Sequence, residues 1–346
     1  MVLNAMDVPA DIWSRILEYV DNKSLQNCRK TCRSFKEITD NNAFWIQKAN
    51  SCQSGSILPT HKWRHAACNN EFDGDVSEEE AEKFKFNYKQ IALSKKGYST
   101  IKPYNIHRGM TLQAHTEKYK VEFELGGDGI VIENNESGCD PDDSVENCFA
   151  FSFRESLVRV NLDLVAMGID PWVLDHVRPT IRISQKVNHR YDCGAIVAFG
   201  LQLGRYKRPR INASLHSTER DSPEDKTFGV FRKEWQQWSP AEWENMSVEL
   251  NDYPSGMRYA TIVTSGRDNQ FWKGYFGPKI ANLEFVITLP EEPVVRPLRP
   301  PRDCEERPNT SQTEQPRRNV ILEQLNRYRP RFRGGIFNFG DVHPPG

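Results

Sequence analysis

The residues best suited to bind a ligand lie in the segment 266–278, where four aromatic side chains and one lysine fall within six positions. Glycine and proline flank this segment and favour turns, so the triplet Phe271-Trp272-Lys273 is predicted to lie on a loop. Loops run over the protein surface, and an exposed aromatic ring beside a cation is typical of sites that hold a sugar, a peptide or a base. We therefore expect Trp272 to be exposed.

No other arrangement of residues predicts bond chemistry. A Ser-His-Asp or Cys-His pattern does not stand out, so the chain is predicted not to be an enzyme and to need no cofactor. Cys52, His61, His65 and Cys68 could form a zinc site. Structural zinc sites usually contain a close Cys-x2-4-Cys pair, which is missing here, and we predict no metal.

Composition restricts the possible partners and compartment. The 346 residues carry a net charge of −1, so nothing in the overall charge favours nucleic acid. No run of 18 apolar residues occurs, which predicts no membrane insertion. The first eleven residues lack a basic region followed by an apolar stretch, which predicts no secretory signal. Eight cysteines in such a chain are interpreted as reduced thiols, and we predict a cytoplasmic protein.

The first fifty residues show a helical pattern. Ile12 and Ile16 recur at a spacing of four, and Ser24 can cap a second helix that carries Leu25 and Cys28 on one face. Three short helices bury little apolar area alone. Their apolar face is therefore expected to contact another protein or domain.

From about residue 116 the apolar pattern alternates with a period of two, which predicts strands separated by turns. Many short alternating strands indicate an antiparallel β-sandwich. The predicted strands are 119–125, 149–153, 157–162, 180–183, 196–203, 247–250, 259–263 and 285–287.

These patterns divide the chain into four parts of an α+β multidomain protein. A small helical domain at 3–50 is followed by a linker with helical stretches at 51–115, and then by the sandwich at 116–290. Residues 291–346 are rich in proline and arginine and are predicted to be a disordered tail. Prolines and acidic residues dilute the arginines, so RNA binding by this tail is the weaker interpretation.

The N-terminal residues resemble the F-box, the module that docks on the Skp adaptor of cullin ubiquitin ligases. The matching elements are Val8-Pro9 in place of the usual Leu-Pro, the Cys-x3-Cys-Arg element at 28–33, and Phe44-Trp45. The resemblance implies an apolar contact with the Skp adaptor, and through it with a cullin. The residues implied in that contact are Pro9, Ile12, Ile16, Leu17, Leu25 and Cys28.

Residues from about 116 to 289 resemble the F-box-associated domain of the sugar-binding F-box proteins. The turn at 126–129 and the segments 142–145, 148–153, 252–259 and 266–277 carry this resemblance. It implies a galactose-binding-like jelly roll whose loops hold the chitobiose core of high-mannose N-glycans on misfolded glycoproteins.

The same resemblance assigns the site residues. Phe271, Trp272 and Lys273 match the aromatic-Trp-Lys triplet that holds the sugar, and a second aromatic is expected from Phe149 or its neighbour Phe151, with Phe149 preferred. Ser184-Gln185-Lys186 departs from the Asp-Trp pair of the sugar-binding members.

Together these features predict a substrate-recognition subunit of an Skp–cullin–F-box ubiquitin ligase. Its expected substrates are glycoproteins marked for ER-associated degradation. The alternative is an F-box substrate receptor whose sandwich binds protein partners and has lost glycan binding.

Overall fold

A computed structural model describes most of the chain between residues 8 and 299. The described residues are 8–52, 57–74, 77, 79, 84–207 and 227–299. The polar stretch 215–226 and the predicted tail from residue 300 onward lie outside them. Within the described part, no helix combines the length and the apolar character needed to cross a membrane.

Seven α-helices are found in this part of the chain. They are α1 (Ala10–Tyr19), α2 (Asn22–Thr31), α3 (Arg33–Asp40), α4 (Asn42–Cys52), α5 (His61–Asn69), α6 (Tyr88–Ser94) and α7 (Leu112–Tyr119). The predicted second helix is divided into α2 and α3 because Cys32 is extended, with φ −149° and ψ 137°.

Side chains tie the N-terminal helices together at their ends. The Asp21 carboxylate accepts the backbone N–H groups of Lys23 and Ser24, both at 3.0 Å, so Asp21 rather than Ser24 caps α2. The buried Lys48 ammonium on α4 donates to the carbonyls of Glu18 and Val20, each at 2.8 Å. These carbonyls at the end of α1 have no partner within the helix, and Lys48 satisfies them.

The linker is packed between the N-terminal helices and the sandwich. Helix α6 packs against α4, and its Ile91 is fully buried. Ser94 Oγ and the backbone N–H of Gly97 both donate to the Met167 carbonyl, at 2.6 and 2.9 Å. A Cβ on Gly168 would lie 2.8 Å from the Ile91 Cα, so the close approach requires glycine.

Two five-stranded antiparallel sheets pack face to face, which confirms the predicted sandwich. The strands of the described residues are β1 (Asp73–Gly74), β2 (Glu122–Glu124), β3 (Ile130–Asn134), β4 (Asn147–Phe151), β5 (Ser156–Asp163), β6 (Thr180–Asn188), β7 (Ala195–Gly204), β8 (Phe228–Trp235), β9 (Glu244–Leu250), β10 (Tyr259–Asp268), β11 (Lys279–Thr288) and β12 (Val294–Val295). The two sheets of the sandwich have the orders β2-β5-β10-β7-β8 and β3-β4-β11-β6-β9, and β1 and β12 form a separate pair.

Strand register brings five connections to one end of the sandwich. The last residue of β10, Asp268, pairs with the first of β7, Ala195, while the first residue of β11, Lys279, pairs with the last of β6, Asn188. We call this the loop end. It comprises residues 125–129, 152–155, 189–194, 236–243 and 269–278.

Residues 291–299 belong to the folded unit, although the sequence predicted that the tail begins at residue 291. Strand β12 pairs in parallel with β1, and Val295 is buried. The Trp63 indole donates to the Pro290 carbonyl at 2.7 Å, and the backbone N–H of Arg296 donates to the His176 carbonyl at 2.8 Å. This segment joins helix α5 to the end of the sandwich opposite the loop end.

Candidate functional site

The loop end carries the three residues that the sequence predicts to bind a ligand. Phe271 is 61% exposed and Trp272 is 46% exposed, and Lys273 between β10 and β11 is also exposed. An exposed indole beside an ammonium offers a flat apolar face and a hydrogen-bond donor at the same place. The expectation that Trp272 faces solvent is met.

A buried carboxylate positions the start of this triplet. Asp268 is fully buried at the end of β10, and its carboxylate accepts the backbone N–H of Phe271. Burial raises the pKa of Asp268, while backbone N–H groups of Phe271, Trp272 and Gln270 act in the opposite direction. The carboxylate therefore acts as a cap that holds the turn beneath the exposed rings.

The backbone of the loop is held in conformations that side chains rarely adopt. Phe271 has φ 60° and Gly274 has φ 121°. A bulky residue at positive φ costs about 1–3 kcal/mol and persists only where surrounding contacts fix it. At Gly274 a Cβ would lie 2.7 Å from a ring carbon of Phe276, so only glycine fits there.

Hydrogen bonds to neighbouring loops fix the backbone of this loop. The Asn269 N–H donates to the Gly194 carbonyl at 3.1 Å, and the Gly194 N–H donates to the Gln270 side-chain oxygen at 3.0 Å. On the other side, the Gly274 N–H donates to the Asp128 carboxylate at 3.0 Å. The Tyr275 hydroxyl donates to the Asp128 carbonyl at 3.1 Å. The triplet therefore lies on a loop anchored from both sides.

Two arginines lie over aromatic rings around the triplet. The Arg267 guanidinium is 5.1 Å from the Phe271 ring centroid, and that of Arg190 is 5.2 Å from the Phe276 centroid. The Phe276 ring meets Trp272 edge to face, with centroids 6.3 Å apart. These contacts restrict the rings before any ligand arrives, which lowers the entropy lost on binding.

The structure does not bring Phe149 to this loop. Phe149 is fully buried in the middle of β4, where its ring contacts Tyr104, His115 and Phe123. A side chain without exposed surface cannot touch a ligand from solvent, so Phe149 is corrected to a core residue.

The aromatic residue that β4 leads to at the loop end is Phe153. It is half-buried in the 152–155 connection, and a Cβ on Gly127 would lie 3.0 Å from its ring. The alternating pattern predicts a strand as far as residue 153, whereas β4 ends at Phe151, so Phe153 lies on a loop and not in the strand. The polar residues Arg154 and Glu155 are the sequence signal that indicates a loop here.

The departure at residues 184–186 lies within strand β6. Gln185 is 1% exposed, and its side-chain oxygen accepts the Thr264 hydroxyl at 3.1 Å from the facing sheet. Lys186 pairs with the Asp142 carboxylate at 2.5 Å. Gln185 therefore faces the interior, and Lys186 is engaged in an ion pair.

This ion pair predicts a pH dependence of stability. The Lys186 ammonium, followed by Ser144, lowers the pKa of Asp142 from 3.8 to about 2. A lowered folded-state pKa stabilises the protein above the unfolded value of 3.8, and the contribution is lost as the pH falls toward 2. Lys186→Met is expected to move acid unfolding to higher pH, as measured by circular dichroism during acid titration.

An exposed ion pair provides the control for this measurement. Arg33 and Glu37 pair on α3 with side chains 91% and 63% exposed, so Arg33→Met is expected to leave the acid transition nearly unchanged. Equal acid transitions in Lys186→Met and the wild type would contradict the stabilising role of the Asp142 pair.

The residues implied in adaptor contact differ in how far they are exposed. Pro9, Ile12 and Ile16 are exposed on or beside α1, with Ile12 and Ile16 42% and 46% exposed. Leu17 and Leu25 are 2% and 1% exposed and pack in the core instead. Cys28 is half-buried against that core. Leu17 and Leu25 therefore belong to the core and not to the exposed surface of the helices.

Within the described residues, no group of three or more His, Cys, Asp or Glu side chains could hold a metal ion. His61 and His65 stack along α5, with centroids 6.2 Å apart. The side chain of Cys52, another member of the zinc candidate, lies outside the described part of the structure.

The described residues form a helical module with exposed isoleucines, a packed linker, and a sandwich with an aromatic loop end. The F-box associated region matches residues 104–287, and the F-box domain matches residues 6–47. The chain therefore belongs to the family of F-box proteins with an F-box associated region, which are substrate-recognition adaptors.

Relatives match most of the chain in sequence. F-box only protein 6 of Mus musculus is 28% identical over 286 residues, covering 78% of this chain and 83% of the mouse protein. F-box only protein 6 of Homo sapiens is 27% identical over 286 residues, covering 82% and 83%. The structure of TmCBM61 in complex with beta-1,4-galactotriose is 10% identical with a TM-score of 0.30, covering 53% of this chain and 99% of that chain. That structural likeness is too low to bear on function.

Proposed function

We propose that this chain is the substrate-recognition subunit of an Skp–cullin–F-box ubiquitin ligase whose sandwich binds N-linked high-mannose glycans. Its substrates are misfolded glycoproteins that are ubiquitinated in the cytoplasm for ER-associated degradation. The observation that carries the proposal is the rigid, exposed triplet Phe271-Trp272-Lys273 at the loop end.

The chemistry of the triplet suits a pyranose ring. A pyranose presents C–H groups on one face and hydroxyls at its rim, which match an indole face and an ammonium donor. Covering roughly 100 Å² of apolar surface is worth about 2–3 kcal/mol. Such a site binds a single glycan weakly, and several glycans on one substrate raise the affinity through avidity.

In this proposal, the F-box part connects substrate recognition to ubiquitination. Docking on the Skp adaptor connects the chain to a cullin and raises the effective concentration of bound substrate near the ubiquitin-loaded enzyme. Recognition and docking use separate surfaces, so each is expected to be removable without the other.

A second candidate function is recognition of protein partners by a sandwich that has lost glycan binding. The observation that favours it is the sequence of β6, where a buried Gln185 and an ion-paired Lys186 stand in place of the Asp-Trp pair. If that pair is needed to shape the sugar site, the triplet alone would not hold a glycan.

Calorimetric titration of the full chain in complex with the Skp adaptor separates the two candidates. Chitobiose is expected to bind with a dissociation constant below millimolar, and cellobiose serves as the control disaccharide without acetamido groups. If folded protein binds no chitobiose at millimolar concentration, the glycan proposal fails and the protein-partner candidate is favoured.

The adaptor contact is testable on helix α1. Ile16→Ala is expected to weaken adaptor binding about tenfold, because a half-exposed isoleucine loses about 1.4 kcal/mol of apolar burial in the complex. Surface plasmon resonance with immobilised adaptor measures the change in affinity. Ile16→Val is the matched control and is expected to lose less affinity than Ile16→Ala. Unchanged binding by Ile16→Ala would remove this residue from the docking face.

A further inference from the structure

Two more exposed aromatics lie at the loop end, outside the predicted triplet. Tyr191 in the β6–β7 connection is 53% exposed, and Trp238 in the β8–β9 connection is 70% exposed. Their ring centroids are 6.1 Å apart and their planes are tilted by 52°. Two large exposed rings in contact, but on separate loops, require an explanation that core packing does not provide.

The backbone fixes this pair. Trp238 has φ 66°, a conformation that is strained for a bulky residue. Its N–H donates to the Tyr191 carbonyl at 2.8 Å, and the Gln237 amide donates to the Asp192 carbonyl at 3.0 Å. The Tyr191 N–H donates in turn to the Gly138 carbonyl at 3.0 Å. The two rings are therefore presented by loops bonded to each other.

The connections that carry the pair are in contact with the loop that carries the triplet. Arg190, the neighbour of Tyr191, lies over the Phe276 ring, and that ring meets Trp272 edge to face. The loop that carries Trp272 is also bonded to β8, since the Asn269 amide donates to the Trp235 carbonyl at 3.3 Å. Phe276 and Arg190 therefore link Trp272 to the connection that carries Tyr191.

The polar groups beside the pair indicate the kind of ligand. Arg190 Nε lies 3.3 Å from Asp192 Oδ1, with both side chains partly exposed. The two charges offset each other, so this pair of side chains supplies donors and acceptors without adding a net charge. Hydroxyls of a neutral sugar can use both kinds of group, and the aromatic rings suit its C–H face.

We propose that Tyr191 and Trp238 form an outer subsite for a pyranose residue further along the glycan that the triplet holds. This inference rests on the proposed glycan-binding function and adds that the chain recognises an oligosaccharide longer than a disaccharide. The triplet binds the inner sugars, and the Tyr191–Trp238 pair contacts one residue of the mannose arms.

The test compares a short and a long ligand on the full chain with its adaptor. The probes are chitobiose and a high-mannose oligosaccharide that contains it, titrated by calorimetry. The wild type is expected to bind the oligosaccharide about tenfold more tightly than chitobiose, since a second aromatic platform adds apolar burial. Trp238→Asn is expected to remove that tenfold difference and to leave chitobiose binding unchanged.

Asparagine is chosen because it tolerates positive φ, which separates loss of the ring from backbone strain. Trp238→Phe keeps an aromatic face and is expected to retain most of the preference for the long ligand. Equal affinity of wild type and Trp238→Asn for the oligosaccharide overturns the subsite while leaving the triplet's function intact. Absence of binding by the wild type to either ligand overturns the proposed function itself.

A protein segment as the occupant gives a different result. In that case Trp238→Asn would lower retention of an enzymatically deglycosylated, denatured glycoprotein as much as retention of the glycosylated form. That outcome overturns the sugar subsite, whereas loss confined to the glycosylated form supports it.

Discussion

Replacing Trp272 with alanine is expected to weaken chitobiose binding by about 30-fold, which corresponds to about 2 kcal/mol of lost apolar contact. Trp272 is half-exposed on a loop whose backbone is anchored by Asp268 and Asp128, so the substitution removes the platform and leaves its support in place. Calorimetric titration measures the loss, and pull-down of a high-mannose glycoprotein is expected to fail.

Tyr206→Ala is the matched control for that experiment. Tyr206 is 77% exposed and follows β7 at the opposite end of the sandwich, so its removal is expected to change neither glycan nor adaptor binding. Trp272→Ala is likewise expected to keep adaptor binding. Chitobiose affinity equal to that of the wild type would place the sugar elsewhere on the protein.

The second large effect concerns stability rather than binding. Phe149→Ala is expected to lower the free energy of unfolding by about 3–5 kcal/mol, because a buried phenylalanine leaves a cavity that its neighbours fill only partly. The ring is surrounded by Tyr104, His115 and Phe123, which come from the linker, helix α7 and strand β2. Urea denaturation followed by tryptophan fluorescence measures this change.

Phe153→Ala provides the contrast. Phe153 is half-buried at the loop end, so its replacement is expected to lower the free energy of unfolding by less than Phe149→Ala does. Folded Phe149→Ala protein is expected to keep its chitobiose affinity below the denaturation midpoint, since no atom of that side chain reaches solvent. Wild-type stability in Phe149→Ala would contradict the packing described for β4.

The sequence predicted the sandwich well because burial alternates along individual strands. In β5 every second residue is buried, and in β9 the same period appears from Met246 onward. The triplet was also predictable, because aromatic residues between glycines and a proline rarely form a strand interior. Both features depend on neighbours in the sequence.

Features that depend on contacts between residues far apart in the sequence could not be predicted from local pattern. Phe149 and Phe153 are similar in the sequence, and only the point where β4 ends separates a core ring from a loop ring. Tyr191 and Trp238 lie on different connections and meet only after the sheets form. Residues 291–299 look disordered by composition, yet backbone hydrogen bonds to the 73–74 strand and to His176 fix them. Local pattern cannot show such partners.

The segment 290–299 has a mechanical consequence. Because Pro290 is bonded to Trp63 and β12 pairs with β1, helix α5 is held to the sandwich by a second connection besides the one through α6. A substrate receptor attached at two points has a fixed reach. Under the proposed function, the location of a glycan on a substrate then decides which lysines come within range of the ubiquitin-loaded enzyme. Selection among lysines would follow from the rigid length of the receptor, without any contact to the lysines themselves.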